Sequence, residues 1–134
     1  MSTYVREKVL RVPLENTGLI TVDSQFDYED ILDDIRLKFK DLFSSGTPGK
    51  FQFAPTETLY LDYVLECESD ASEGEFGKTR ALSERERAKF KPIFSQIVPD
   101  IEMSIVRLVE YCWYNCSEAP DYYDNTGDSF YKEL

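Results

Sequence analysis

The longest apolar pattern in the chain lies in residues 99–116, which read PDIEMSIVRLVEYCWYNC. Asp100 is placed to cap the start of a helix, and Pro120 cannot continue one. Between them the apolar residues recur at steps of three and four, as on one face of an α-helix. These residues are Ile101, Ile105, Leu108, Val109, Cys112, Trp113 and Cys116. The pattern predicts a core helix over residues 101–116.

A second helical stripe runs through residues 28–43, with Asp27 as the predicted N-cap and Gly46 just beyond the end. Its apolar members are Tyr28, Ile31, Leu32, Ile35, Phe39, Leu42 and Phe43. Their three- and four-residue spacing predicts that one side of this helix is buried.

A third helix is predicted over residues 84–98. Ser83 and Glu86 have the spacing of a capping box, in which a hydroxyl and a carboxylate satisfy free backbone N–H groups. Pro92 lies inside this helix and is expected to kink it or divide it in two.

Other segments favour strands. Residues 4–14 alternate and contain several valines, with an irregularity expected near Lys8 and Val9, and a turn then leads to a second predicted strand at residues 19–22. Together they predict an N-terminal hairpin. A short strand is expected at residues 50–53. Residues 58–67 have both a two-residue and a four-residue apolar repeat, and their aromatic and β-branched content favours strand over helix.

These elements predict one α+β domain over residues 1–134, in the order β-β-α-β-α-α. A small antiparallel sheet, made of the hairpin and one or two further strands, would be packed by three main helices. Residues 68–78 are polar and contain glycine, so we expect a mobile loop there. Residues 119–134 are acidic and aromatic, and we expect this tail to dock on the body.

Charge and composition limit the function. The 134 residues carry a net charge of -11, which argues against direct binding to nucleic acid. No apolar run reaches the roughly 20 residues that a membrane helix needs, and we expect no secretory signal. With three cysteines, the simplest expectation is free thiols in the cytoplasm. The charge fits a monomer or a homodimer.

Catalytic groups are scarce. The chain has no histidine, so the commonest general base and the commonest metal ligand are both missing. No segment has the spacing of a phosphate-binding glycine loop. We therefore expect no enzyme activity and no cofactor, and assign no catalytic, cofactor-binding or metal residue. The alternatives left open are a small carboxylate-dependent hydrolase and a metal protein that uses Cys67, Cys112 and Cys116.

Acidic residues support a sharper hypothesis, because carboxylates at helical spacing imitate a row of phosphates. The chain is then a non-catalytic interaction module that binds a basic protein surface. In its strongest form it is a DNA-mimic inhibitor of phage or mobile-element type, which blocks a nucleic-acid-binding surface. The candidate residues are Glu29, Asp30, Asp33, Asp34, Glu110, Glu118, Asp121, Asp124 and Asp128.

One basic island interrupts the acidic chain. Its members are Arg80, Arg85, Arg87, Lys89 and Lys91. Charge runs of this kind usually form a solvated helix face. A contact site for an acidic partner, or for phosphate, is the sharper interpretation.

Overall fold

A five-stranded antiparallel sheet organises the chain, in the order β2-β3-β1-β5-β4. The computed structural model describes residues 2–20, 28–55, 59–71 and 77–116. The strands are β1 (Ser2–Pro13), β2 (Phe51–Phe53), β3 (Tyr60–Ala71), β4 (Gly77–Ala81) and β5 (Arg107–Cys116). The long strands β1, β3 and β5 form the centre, and the two short strands form the edges.

Two α-helices accompany the sheet in the described part of the chain: α1 (Tyr28–Lys38) and α2 (Glu84–Phe94). Among the described residues, a 3₁₀ turn at Leu14–Asn16 follows β1 and another at Met103–Ile105 precedes β5. The described order is therefore β-α-β-β-β-α-β. The prediction of a small sheet packed by three main helices, in the order β-β-α-β-α-α, was wrong.

Alternation along β1 divides the sheet into two faces. Leu10 and Val12 lie on the first face, where they join a cluster that includes Leu32 of α1 and Phe94 of α2. The ring of Phe94 meets the ring of Phe51 edge-on at 5.4 Å between centroids. Both helices thus contribute their buried side chains to the first face.

The second face of the sheet is also buried at its centre. Val9, Val64 and Val109 lie side by side on the three central strands, and Tyr111 completes this smaller cluster. Valines fit a pleated surface well, because a β-branched side chain packs against its cross-strand neighbours. Burial on both faces explains why apolar residues in β1 and β5 do not follow a simple alternation.

The predicted core helix over residues 101–116 is wrong, since most of this segment is strand β5. Leu108 lies opposite Leu10, and Val109 lies opposite Val9, so neighbouring residues serve opposite faces. A strand that is buried on both faces is apolar at most of its positions, so some of these positions are three or four residues apart by coincidence. The β-branched and aromatic content of the segment was the better guide.

The predicted N-terminal hairpin is also wrong. β1 continues through Pro13 into a 3₁₀ turn and pairs with β3 and β5, strands that come much later in the chain. Leu19 and Ile20 form a bend in place of a strand, and residues 21–22 lie outside the described residues. Proximity along the chain was a poor guide because both partners of β1 are distant in sequence.

The predicted helix over residues 28–43 is shorter than expected, because α1 ends at Lys38. Phe39, Leu42 and Phe43 still pack against the core, but they do so from turns. Phe43 makes an isolated parallel bridge with Phe51, which draws this segment onto the edge of the sheet. Asp27, the predicted cap, lies outside the described residues.

Four local predictions are confirmed. The segment 58–67 belongs mostly to strand β3, and the short strand expected at 50–53 is β2. The Ser83 capping box starts α2, which contains Pro92 and ends at Phe94, before the expected residue 98. The pairing of β1 with β3 shifts register between Lys8 and Val9, the expected position, although the extra residue is Leu65 of β3 and not a residue of β1.

The segment predicted as a loop contributes to two strands. Residues 68–71 belong to β3 and residues 77–78 to β4, while 72–76 lie outside the described residues. The predicted docked tail, residues 119–134, also lies outside them. Neither helix of the described part has the length and apolar character needed to cross a bilayer.

Candidate functional site

Four of the acidic candidates lie together on helix α1. Leu32 and Ile35 are buried and hold one side of the helix against the sheet cluster. The opposite side presents exposed carboxylates, here called the α1 acidic face: Glu29, Asp30, Asp33 and Asp34. Among the described residues, Asp33 is the only one of the four in an ion pair, with Arg36 at 2.6 Å. The helix thus presents dense negative charge to solvent.

An exposed leucine adjoins the α1 acidic face. Leu37 lies four residues after Asp33 and three after Asp34, and its side chain is 71% exposed. Residues at these spacings are neighbours on a helix surface. A large apolar side chain beside a row of charges resembles the composition of protein interfaces, which join an apolar centre to a polar rim.

The other acidic candidates are not placed beside α1 by any described contact. Glu110 is half-buried on β5, where it lies opposite Lys8 on one side and Lys78 on the other. Glu110 thus has a lysine opposite it on each neighbouring strand, although Lys8 forms its ion pair with Glu66. The remaining four lie outside the described residues: Glu118, Asp121, Asp124 and Asp128.

The basic island is divided between β4 and α2. Arg80 of β4 donates two hydrogen bonds of 2.8 Å to the carboxylate of Glu86. This guanidinium, together with the backbone of Ser83, lowers the pKa of Glu86 to about 2. The other members lie on α2, where Arg87 is half-buried and the rest are exposed: Arg85, Lys89 and Lys91. Arg80 of the basic island is thus already paired with Glu86, the carboxylate of the α2 capping box.

Sequence reasoning did not anticipate a buried polar network on the second face of the sheet. Its centre is Glu7, which is 2% exposed. One carboxylate oxygen of Glu7 accepts from Nε2 of Gln52 at 2.8 Å, and the other accepts from Nε1 of Trp113 at 2.9 Å. The backbone N–H of Gly46 donates to Oε1 of Gln52 at 2.7 Å, which fixes the orientation of that amide. Burial raises the pKa of Glu7, and the two donated hydrogen bonds oppose that shift.

A second part of the network is an ion pair. Nε and Nη2 of Arg11 donate to the two carboxylate oxygens of Asp62 at 2.7 and 3.0 Å. The guanidinium also lies over the rings of Tyr60 and Tyr111, at 5.0 and 4.9 Å from their centroids. Asp62 is completely buried. The two hydrogen bonds to Asp62 and the two aromatic rings therefore hold the Arg11 guanidinium in one orientation.

A cavity of about 300 Å³ opens beside this ion pair. The described residues that line it, here called the arginine cavity, are Arg11, Pro13, Tyr60, Thr79, Ile105, Arg107 and Val109. The buried carboxylates Glu7 and Asp62 are not among them. The cavity wall is thus apolar with two guanidinium groups, and it does not present a pair of carboxylates to a substrate.

The cysteines are separated by the sheet. Cys67 lies opposite Glu7 on the second face, whereas Cys112 lies opposite Arg6 on the first. Both are free thiols. Across the described residues, no cluster of three or more acidic or cysteine side chains could hold a metal ion.

One signal in the sequence could have revealed the ion pair. Asp62 lies between apolar neighbours, Leu61 and Tyr63, and residues 51–77 contain no basic side chain that could neutralise it. Its partner therefore had to come from another segment. Arg11 lies between Leu10 and Val12 in the same way, but only the register of β1 on β3 brings the two residues together.

No protein-family model, curated protein or solved structure matches the chain.

Proposed function

We propose that the protein is a non-catalytic interaction module that binds a basic surface of another protein through the α1 acidic face. The observation that carries the proposal is the exposure of four carboxylates on one side of a helix whose other side is buried. Leu37 supplies an exposed apolar contact beside them. The absence of histidine supports a binding role over a catalytic one.

The charge density of α1 supports the DNA-mimic form of this proposal. Residues 29 and 34 are about 7.5 Å apart along the helix axis, at a rise of about 1.5 Å per residue. Four carboxylates within that length give about one negative charge per 2 Å, although Arg36 offsets part of the charge of Asp33. Duplex DNA has about one charge per 1.7 Å of its axis. A surface built to bind DNA phosphates would thus meet a similar charge density on this helix.

Part of this charge has a structural role. Glu29 and Asp30 lie in the first turn, where the helix dipole favours negative groups. Asp33 and Asp34 lie in the next turn, each four residues after a like charge, and such pairs are unfavourable by a few tenths of a kcal/mol. Neutralising Asp33 and Asp34 should therefore leave stability nearly unchanged. The helix itself therefore gains little from these two charges, which favours an external cation as their partner.

The experiment compares three proteins of matched fold. The wild type, Asp33→Asn/Asp34→Asn and Glu15→Gln/Asp41→Asn are immobilised and exposed to lysate of the source cells. The control changes the same charge at exposed positions outside α1. Captured proteins are compared at about 0.1 M and about 1 M salt, since the Debye length falls from about 10 Å to about 3 Å.

We expect the wild type and the control to retain a basic partner at low salt, and the α1 variant to lose it. High salt should release the partner, and duplex DNA should displace it if α1 occupies a DNA-binding surface. Leu37→Ala should weaken capture without altering the salt dependence. Capture that is indifferent to salt, or equal for all three proteins, would refute the proposal.

The proposal also places the protein in the cytoplasm. Cys67 and Cys112 are free thiols, which fits a reducing compartment. Fractionation of source cells with an antibody to the protein tests this part, and recovery in a secreted or membrane fraction would contradict it.

A further inference from the structure

Two arginines face each other across the centre of the sheet. Arg11 on β1 lies directly opposite Arg107 on β5, and Asp62 lies opposite Arg11 on the other side. Like charges in direct cross-strand register are unfavourable. The row itself contains two guanidinium groups and one carboxylate. Glu7, four residues before Arg11 on the same face, adds a second carboxylate close to Arg11 but is not opposite Arg107.

The carboxylate of Asp62 forms its ion pair with Arg11. Both of its oxygens accept hydrogen bonds from that guanidinium, and the Arg11 side chain is 8% exposed. This neutral, buried pair forms a fixed wall of the arginine cavity. Asp62 therefore cannot also neutralise Arg107 at close range.

Arg107 is placed differently. Its side chain is exposed, and Nε donates to Oγ1 of Thr79 at 3.1 Å. Within the described part of the chain this is its one side-chain hydrogen bond, and no ion pair is formed there. The contact with Thr79 holds the guanidinium at the cavity, and the two terminal nitrogens remain as donors for an external acceptor.

We propose that the arginine cavity binds a small organic monocarboxylate. The two terminal nitrogens of Arg107 form a fork that matches the two oxygens of a carboxylate. Pro13, Ile105 and Val109 provide an apolar surface for the body of the ligand. A volume near 300 Å³ corresponds to the small end of ligand pockets.

The ligand would pair with Arg107, which forms no ion pair within the described residues. A carboxylate bound at Arg107 completes two acid–base pairs across β3, β1 and β5. A dianion such as phosphate fits less well, because it brings excess negative charge beside an apolar wall and the buried pair. The site shares no residue with the α1 acidic face, so the two proposals stand or fall separately.

Benzoate and its neutral analogue benzamide test the proposal. Each is titrated into the full-length ¹⁵N-labelled protein, and amide and arginine Nε–Hε shifts are followed by NMR. For so small a ligand we expect a dissociation constant on the order of 1 mM. Benzoate should shift the signals of Thr79, Arg107 and Val109, and benzamide should bind at least about tenfold more weakly, because it lacks the charge that Arg107 recognises.

Two variants and a control sharpen the test. Arg107→Gln removes the anion-binding group, relieves the repulsion with Arg11 and should fold with an unchanged or higher melting temperature. It should lose benzoate affinity by at least about tenfold. Ile105→Trp fills the cavity and should also abolish binding. Arg85→Gln removes an exposed charge on α2 and should bind benzoate as the wild type does.

Several outcomes would overturn the proposal. Equal binding of benzoate and benzamide would show that the cavity does not discriminate between a charged and a neutral ligand. Unchanged affinity in Arg107→Gln, or benzoate-induced shifts confined to residues outside the arginine cavity, would place the anion elsewhere. Inorganic phosphate binding more tightly than benzoate would refute the assignment to organic carboxylates.

Discussion

The buried ion pair between Arg11 and Asp62 gives the strongest stability prediction. Replacing Asp62 with Asn leaves the Arg11 guanidinium without its carboxylate, in a side chain that is only 8% exposed. Breaking a buried ion pair by removing one partner costs about 3–5 kcal/mol. The rings of Tyr60 and Tyr111 still face the stranded charge, so we expect the low end, about 3 kcal/mol. The total stability of such a domain is about 5–15 kcal/mol.

The reverse change should cost more. Arg11→Met leaves the carboxylate of Asp62 buried without its cation, and no aromatic face compensates a negative charge as it does a positive one. We expect a loss near 5 kcal/mol at neutral pH. The loss should shrink in acid, because a stranded buried carboxylate takes up a proton more readily. The double variant Arg11→Met/Asp62→Leu should lose less than either single variant, since no unpaired charge remains.

Urea unfolding measures these differences. Trp113 is the only tryptophan and lies beside the network, with its Nε1 bonded to Glu7, so its fluorescence reports on this face. Asp33→Asn is the matched control: it breaks the exposed pair with Arg36 and should cost at most a few tenths of a kcal/mol. Additive losses in the double variant, or single losses as small as the control's, would refute the reasoning.

Three further predictions follow from the same structure. Phe94→Ala should cost about 3–5 kcal/mol in urea unfolding, because Phe94 is fully buried against Phe51; Leu37→Ala, at a side chain 71% exposed, should change stability little. Ser83→Ala should cost about 1 kcal/mol, since it removes the hydroxyl that accepts from the backbone of α2. Glu7 sets a pH dependence, because burial raises its pKa above the ordinary value of 4.5 and the folded state therefore favours the protonated carboxyl. The stabilisation that results is fully present below pH 4.5 and is lost as the pH rises through the folded-state pKa. The difference between wild type and Glu7→Gln should show this slope in urea titrations across pH, and a flat difference would contradict it.

Local signals in the sequence predicted local structure well. The capping box at Ser83 starts α2 because hydroxyl and carboxylate at that spacing satisfy backbone donors that lie within the same turn. The charge distribution on α1 was equally readable, since a helix with Leu32 and Ile35 buried must turn Asp33 and Asp34 outward. In each case the residues that decide the structure are near neighbours in the chain.

Long-range pairing was not readable in the same way. Periodicity assigned residues 101–116 to a helix because it assumes one buried face, whereas β5 is buried on both at its centre. The position of β1 between β3 and β5 likewise depends on pairs of residues that are 47 to 114 positions apart in the chain. No turn or cap signals such a pairing, and the N-terminal hairpin was predicted because strands that are consecutive in sequence usually pair.

The central position of β1 has consequences for both stability and function. Arg11 meets Asp62 through one neighbouring strand and Arg107 through the other, so one residue joins the buried ion pair to the arginine cavity. A shift of β1 by one residue would turn Arg11 to the first face, where the helices pack, and would break both relationships. The ion pair therefore fixes the register of β1. Arg11 and Asp62 meet in one alignment of the strands, and the same alignment places the Arg107 guanidinium at the cavity. On this reasoning the position of Arg107 is a consequence of the alignment that makes the fold unique, and a carboxylate ligand uses a group that the fold has already placed.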